Sequence, residues 1–230
     1  MTATREETLE NLHELRQGIG RACEGVGRDP STVRLVAASK TVPLDHMRWV
    51  HDAGVADFGE NYVQELRVKR PELPYARWHY IGTLQTGSAH HVAALADVVQ
   101  TVAGGRATDR LARRVVQARR VVDVLIEVDF TGERAGVPPE LTQALADRIA
   151  SLGGLRLIGL MTLPPMSERA EDALQFFVRL RDLRDRIRER HPEVLELSMG
   201  MSLDYRVALE EGATMVRVGT ALFGSRVPLT

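Results

Sequence analysis

The feature that most constrains the fold is a regular alternation of short apolar runs and longer amphipathic stretches along the chain. Eight runs are too short for buried helices and rich in β-branched residues, so they are predicted as strands, near 33–39, 55–59, 76–82, 97–102, 121–129, 155–161, 194–199 and 214–218. Helices are predicted between them, near 43–53, 60–70, 84–95, 106–119, 138–151, 168–190 and 202–211. Such alternation favours parallel βαβ units, and eight units predict an α/β fold of one (β/α)8 barrel, the TIM barrel.

The length of the chain and its first segment fit one barrel preceded by a helix. The chain has 230 residues, close to the roughly 250 that are typical of this barrel. Near the start, apolar residues recur at helical steps, at Leu9, Leu12, Leu15, Ile19 and Cys23. We therefore expect a single domain over residues 1–230, with an N-terminal helix. The competing open sheet usually has a glycine-rich turn after its first strand, whereas Ser39–Pro43 contains no glycine.

Composition excludes several classes of function. The formal net charge is −1, so no basic surface for nucleic acid is implied. A single cysteine, Cys23, forms no intramolecular disulfide and is expected to be a packing residue in a reducing compartment. The first residues do not resemble a signal peptide, and no apolar run approaches the ~18 residues of a membrane span, so a cytoplasmic protein is expected. The adjacent His90 and His91 point apart on a helix and predict no metal site.

The 30 basic residues contain only two lysines, Lys40 and Lys69. Lys40 follows the first predicted strand, at the end of the barrel where reactive groups lie. A lysine amine partly withdrawn from water releases its proton more readily and can attack a carbonyl, which arginine cannot do. Lys40 is therefore a candidate Schiff-base lysine, although an ion-paired lysine at a strand end is the alternative. Lys69, between Arg67 and Arg70 on a predicted surface helix, is expected to be an ordinary cation.

The ends of the seventh and eighth strands resemble a phosphate site. Ser198 and Ser202 offer hydroxyl groups, Gly200 permits close approach of the backbone, and Gly219-Thr220 adds a second such approach. Loops after strands 7 and 8 often bind phosphate in this fold. Ser202 is also predicted to be the N-cap of the following helix. Ordinary turn and capping chemistry remains the alternative.

Arg217 lies inside an apolar run, Met215–Val218. A buried guanidinium needs a partner, either a carboxylate or an acceptor atom of a ligand. A lysine, a phosphate site and a partner for a ring nitrogen are the three groups that pyridoxal 5′-phosphate (PLP) requires from a protein.

Six segments carry a family resemblance. The chain resembles the pyridoxal phosphate homeostasis proteins, which are related to the N-terminal barrel of alanine racemase. The matching segments keep the family's order and are Leu35–Thr41, Phe58–Glu65, Trp78–Gln85, Gly159–Thr162, Leu197–Tyr205 and Val216–Gly224. The resemblance implies a cytoplasmic, often monomeric PLP carrier with no assigned reaction, whose partners are PLP and possible PLP-dependent apo-enzymes.

The resemblance also implies roles for nine residues. Lys40 would form the internal aldimine with PLP, and Arg217 would face the pyridine nitrogen. Asn61 and His79 would line the ring pocket. The phosphate would be surrounded by Ser198, Met199, Ser202, Gly219 and Thr220.

Two departures from the family pattern concern accessory lysines. The family usually has Asn-Lys after the residue equivalent to Gln85, where this chain has Thr86-Gly87, and a lysine downstream of the fifth strand is replaced near Arg134. Arginine forms no Schiff base, so Arg134 is not expected to relay PLP as an accessory lysine would.

Three different functions remain open beside PLP homeostasis. The first is an amino-acid racemase of the alanine racemase type. An arginine opposite the ring nitrogen keeps that nitrogen unprotonated and mutes carbanion chemistry, and alanine racemase adds a tyrosine from another chain's C-terminal domain. This chain, ending soon after Arg217, is expected to lack a second domain. The second function is a class I aldolase that uses Lys40 with a sugar phosphate, and the third is a regulatory protein that binds a partner.

Overall fold

The computed structural model describes residues 3–224. The strands are β1 Arg34–Ala38, β2 Asp57–Glu60, β3 Arg77–Tyr80, β4 Val98–Val102, β5 Val122–Val128, β6 Leu155–Thr162, β7 Glu196–Ser198 and β8 Met215–Val218. The helices are α1 Arg5–Gly25, α2 Leu44–Asp52, α3 Val63–Lys69, α4 Ala89–Leu95, α5 Gly105–Gln117, α6 Thr142–Ala150, α7 Leu174–Arg188, α8 Tyr205–Glu210 and α9 Thr220–Phe223.

The eight strands form one closed parallel barrel in chain order. Each strand pairs with the next, and β8 pairs with β1, where Val36 is opposite Arg217. Closure leaves no sheet edge, so the backbone groups of every strand find partners inside the barrel. The predicted (β/α)8 fold is confirmed, because the β-branched runs are the strands and the amphipathic stretches between them are the helices.

The N-terminal helix α1 occupies the position of the helix that usually follows the last strand. Thr4 caps it, with the Thr4 hydroxyl accepting from the Glu7 N–H and the Glu7 carboxylate accepting from the Thr4 N–H. Its buried stripe includes Leu12, Leu15 and Cys23, and the helix packs against α2, α8 and α9. Since α9 has only four residues, α1 covers the seam between β8 and β1.

The barrel interior is filled in layers, as the alternation of side chains along each strand requires. Charged residues occupy the amino ends of the strands, where Arg34 pairs with Asp57 and Arg156 pairs with Asp123. Val98, Leu125 and Met161 form a separate cluster of buried apolar side chains. The carboxyl ends of the strands, together with the loops that follow them, form the other end of the barrel, which we call the mouth.

Two features are absent from residues 3–224. No helix in this part of the chain is both long and apolar enough to cross a membrane. Within the same residues, no three His, Cys, Asp or Glu side chains are grouped so that they could hold a metal ion.

Candidate functional site

A cavity of about 600 Å³ opens at the mouth of the barrel. Its volume lies in the range of roughly 300–1,000 Å³ that is usual for small-molecule sites. Apolar side chains on its wall include Ile81, Met161 and Leu163, and Arg134 also borders it. Six of the nine predicted site residues line it, namely Lys40, Asn61, Ser202, Arg217, Gly219 and Thr220.

Lys40 lies in a tightly held turn directly after β1 and is half-buried at the cavity wall. The next residue, Thr41, has a φ of 61°, a left-handed conformation that is strained for a β-branched residue. Two contacts hold the turn: the Thr41 N–H donates to the Glu65 carboxylate at 2.8 Å, and the Lys69 amine donates to the Ser39 carbonyl at 2.7 Å. The surroundings therefore fix the backbone on both sides of Lys40.

Lys69 is a structural residue behind the turn, and its prediction as a surface cation is wrong. It is only 7% exposed, and its amine also donates to Glu60 at 2.8 Å and to Glu65. The hydrophobic pattern contained the signal, because Val63, Leu66 and Lys69 follow three-residue steps and share the buried face of α3. The lysine thus joins α3 to the β1 turn and the end of β2.

Glu60 is fully buried at the end of β2. Its Oε1 accepts from the Ser39 hydroxyl at 2.7 Å and from Lys69, while its Oε2 has no hydrogen-bond partner among the described residues. Burial raises the pKa of the Glu60 carboxyl, and the nearby Lys69 ammonium and Ser39 hydroxyl offset this only in part. One ammonium therefore serves two carboxylates, and the burial of Glu60 opposes the ionisation of its own carboxyl.

Arg217, on β8, borders the same cavity as Lys40 and is 5% exposed. Its guanidinium donates to the Ser198 hydroxyl at 2.6 Å and to the Thr162 carbonyl at 2.9 Å. Burial lowers the pKa of Arg217 to about 10, while the charges of Asp204 and Glu127 act in the opposite direction. The hydrogen-bond acceptors that the described residues offer to Arg217 are therefore uncharged.

Three of the predicted site residues lie below the cavity and do not line it. Ser198 and Met199 are fully buried at the end of β7. His79 is fully buried on β3, where its Nε2 lies 2.7 Å from Asp57 and its Nδ1 lies 2.8 Å from the Gln100 amide. Burial lowers the pKa of His79, against the influence of Asp57. The polar chain that joins Ser198 to His79 through Gln100 was not expected. Gln100 nevertheless offered a signal, because it is an amide in a strand of β-branched residues.

The loop after β7 closes over β8 and brings Ser202 to the cavity. The Arg217 N–H donates to the Gly200 carbonyl at 2.9 Å, and the Ser202 hydroxyl accepts from the Ala221 N–H at 3.1 Å. Gly200 has a φ of +91°, and a Cβ there would lie 2.6 Å from Ala208, so only glycine fits.

The predicted role of Ser202 as a helix N-cap is wrong. The N-cap of α8 is Asp204, whose carboxylate accepts from the Met201 N–H at 2.6 Å. Ser202 instead ties the loop after β7 to α9, which leaves its hydroxyl beside Thr220 at the cavity wall.

Comparison with known proteins gives the family. Residues 26–227 match the model of the alanine racemase N-terminal domain. A pyridoxal phosphate homeostasis protein of Aquifex aeolicus is 40% identical over 222 residues, which cover 94% of this chain and 97% of that protein. One of Pseudomonas aeruginosa is also 40% identical over 222 residues, with 94% and 95% covered. This chain belongs to the pyridoxal phosphate homeostasis proteins. The resemblance drawn from its six segments is confirmed.

A solved structure supports the family assignment. PipY of Synechococcus elongatus, in a structure with PLP bound, is 32% identical, has a TM-score of 0.83, and covers 94% of this chain and all of that one. The family barrel thus extends over nearly the whole of this chain.

The donor set at the mouth fits the group that the family's name contains. PLP has an aldehyde that reacts with an amine, a ring nitrogen that accepts a hydrogen bond, and a phosphate that is stabilised by hydroxyl and N–H donors. Lys40, Arg217 and the hydroxyls of Ser202 and Thr220 all border the same cavity. The apolar side chains of Ile81 and Met161 line that cavity as well.

Proposed function

We propose that this protein binds PLP at the barrel mouth through Lys40 and serves intracellular vitamin B6 homeostasis by holding and delivering the cofactor. The observation that carries the proposal is the convergence of Lys40 and Arg217 on one cavity of ligand size. Relatives over nearly the full length of the chain are named for PLP homeostasis, and PipY has been solved with PLP bound. The proposed unit is one barrel domain with its N-terminal helix, acting as a cytoplasmic monomer.

Lys40 is proposed to hold PLP covalently. Its uncharged amine adds to the aldehyde carbon, a C=N bond forms, and the aldehyde oxygen leaves as water. The fixed turn around Lys40 favours this step, because the amine approaches from a backbone that is already ordered.

Arg217 is proposed to donate a hydrogen bond to the ring nitrogen, with Asn61 beside the ring. The phosphate is proposed to lie between Ser202, Gly219 and Thr220. Ser198, Met199 and His79 would then act from below, Ser198 through its contact with Arg217. Bound PLP supplies an electron-withdrawing ring to any amine attached to it.

The proposed role is binding and delivery, not catalysis. Arg217 stays protonated at neutral pH, because its pKa, although lowered, is about 10. It therefore donates to the ring nitrogen and leaves that nitrogen without a proton, which weakens the ring as an electron sink. The proposed partners are PLP itself and PLP-dependent apo-enzymes that receive it.

Binding is tested with the purified protein and a matched variant, Lys40→Arg. Arginine keeps the positive charge but forms no Schiff base. We expect PLP to produce a visible absorption band with the wild type and not with Lys40→Arg. A wild type that stays colourless after incubation with PLP would contradict the proposal.

Delivery is tested by mixing the PLP-loaded protein with a PLP-free acceptor enzyme. We expect recovery of acceptor activity to be faster than the release of PLP into buffer alone. In the same preparation, alanine or serine should not exchange the α-hydrogen with deuterium at a useful rate. Rapid exchange would instead support a racemase.

A further inference from the structure

A chain of buried hydrogen bonds runs from Arg217 through the barrel interior towards the amino ends of the strands. Arg217 Nη1 lies 2.6 Å from Ser198 Oγ, which lies 2.6 Å from Gln100 Oε1. Gln100 Nε2 lies 2.8 Å from His79 Nδ1, and His79 Nε2 lies 2.7 Å from Asp57 Oδ1. None of the five residues is more than 9% exposed. We call this set the relay.

The chemistry of the groups gives the relay one direction. A guanidinium only donates, so Ser198 accepts from Arg217 and turns its own proton towards the Gln100 carbonyl oxygen. The Gln100 NH2 then donates to His79 Nδ1, which must be unprotonated. His79 therefore carries its proton on Nε2 and donates it to the Asp57 carboxylate.

The opposite orientation of Gln100 would require a charged imidazole. An amide oxygen facing His79 Nδ1 needs a proton there, while the Asp57 carboxylate needs one on Nε2, so the ring would carry both. An imidazolium buried at 0% exposure is disfavoured, and burial lowers the pKa of His79 accordingly. The neutral ring with its proton on Nε2 satisfies every contact.

We propose that Asp57 is a positioning residue for Arg217 and acts through the relay. The inference rests on the proposed function, in which Arg217 faces the PLP ring nitrogen. Asp57 is the anion at the end of the relay, and it fixes in turn the His79 tautomer, the Gln100 orientation and the Ser198 hydroxyl. A Ser198 hydroxyl fixed in this way presents a lone pair to the guanidinium. Arg217 is thus oriented before PLP arrives.

The amino end of the barrel anchors the relay. Arg34 Nε lies 3.6 Å from Asp57, and Arg34 also pairs with Glu196 at 3.5 Å. Arg34 and His79 both approach the same carboxylate oxygen of Asp57. Arg34 therefore holds Asp57 by an ion pair, while Asp57 accepts the hydrogen bond from His79. The orientation of a group at the mouth is therefore linked to ion pairs at the opposite end of the barrel.

The first test is nitrogen NMR of the protein labelled with 15N-histidine, without PLP and with it. We expect the His79 ring to have a proton on Nε2 and none on Nδ1, with His79→Gln used to assign its signals. Arg217→Met should shift the His79 Nδ1 resonance across the relay. The control, Val115→Ala, alters a fully buried residue of α5 outside the relay and should leave that resonance in place.

The second test compares PLP dissociation constants. Gln100→Leu keeps the size of the side chain and breaks the relay, and we expect about a fivefold weaker affinity, the equivalent of one net hydrogen bond. Val115→Ala, away from the cavity on α5, should change the affinity by less than about twofold.

Three results would overturn the proposal. The first is a His79 ring that is protonated on Nδ1. The second is a His79 Nδ1 resonance that does not shift in Arg217→Met. The third is a Gln100→Leu variant whose PLP dissociation constant equals that of the wild type. A wild type that binds no PLP contradicts the proposed function instead, and the NMR test then decides the relay alone.

Discussion

The two ends of the barrel use charge in opposite ways. At the amino ends of the strands, charged side chains pair with one another across neighbouring strands: Arg34 with Asp57 and Glu196, and Arg77 and Arg156 with Asp123. At the mouth, the amine of Lys40 and the guanidinium of Arg217 border a cavity of about 600 Å³. At the amino end, the charged side chains are paired with one another. At the mouth, the nitrogen donors of Lys40 and Arg217 lie beside a cavity in which a ligand could accept from them.

The difference shows how stability and binding are separated in one fold. The side chains at the mouth keep a fixed geometry only if buried contacts hold them. Lys69, with its two carboxylates, holds the turn that carries Lys40. The relay holds Arg217. We expect changes at amino-end ion pairs outside the relay, such as those of Asp123, to lower stability and leave PLP binding intact. Changes at the cavity wall are expected to do the reverse.

The largest expected effect is at the support behind Lys40. Lys69→Met should lower the free energy of unfolding by about 3 kcal/mol, because it leaves the buried Glu60 without its cation. Chemical denaturation measures the loss. Lys69→Arg, the matched control, keeps the charge and should lose much less. Equal losses in the two variants would show that Lys69 acts by packing and not by charge.

Arg217→Met tests the cavity side of the comparison. We expect PLP to bind about thirtyfold more weakly, since a hydrogen bond to a charged group contributes about 2 kcal/mol. The free energy of unfolding should change by less than about 1 kcal/mol, because methionine replaces a buried charge that has uncharged hydrogen-bond partners. A large loss of stability with unchanged PLP affinity would reverse our interpretation of this residue.

Asp123→Asn tests the amino end. Asp123 pairs with Arg77 and with Arg156, whose side chains are 32% and 64% exposed. Solvent screens these pairs, so we expect a loss of only about 1.5 kcal/mol in the free energy of unfolding. The PLP dissociation constant should stay within about twofold of the wild type. A marked weakening of PLP binding would remove the separation between the two ends.

The smallest effect is in the pH dependence of stability. At the amino end, burial opposes the charge of Asp97, but Arg70, the Trp78 N–H and Arg120 outweigh it and hold the pKa of Asp97 below its ordinary value. Asp97 therefore stabilises the fold above that ordinary value, and its contribution is lost as the pH falls through the folded pKa.

Glu60 behaves in the opposite way near the mouth. Because burial raises its pKa, its contribution is present below the ordinary pKa of a glutamate and is lost as the pH rises through the folded value. Thermal unfolding across pH should show a flatter profile below the ordinary pKa of an aspartate for Asp97→Asn, and a flatter profile above the ordinary pKa of a glutamate for Glu60→Gln. Identical profiles for both variants would contradict these opposite signs.

The barrel fold and the residues that line the cavity could be predicted from the sequence, because both depend on local patterns. The periodicity of apolar residues predicted the strands, and strand ends converge at one face of this fold, so Lys40 and Arg217 were predicted to meet. Lys40 was conspicuous because lysine is so rare in this chain.

The supporting contacts could not be predicted, because they depend on tertiary packing. Lys69 resembles a surface cation until α3 is docked against β2 and the β1 turn. The relay joins residues of four strands, β2, β3, β4 and β7, to β8, and no local pattern specifies such pairing. The position of Ser202 was predicted, but its partner, the Ala221 N–H, depends on how two loops meet.

The central claim is that Lys40 holds PLP at the mouth. Borohydride reduction of the PLP-loaded protein, followed by mass spectrometry of its peptides, tests it directly. The chain has two lysines, so Lys69 serves as an internal control. We predict that the reduced PLP mass is found on the peptide that contains Lys40 and is absent from that peptide in Lys40→Ala. Label on Lys69 alone, or no label on the wild type, would contradict the account.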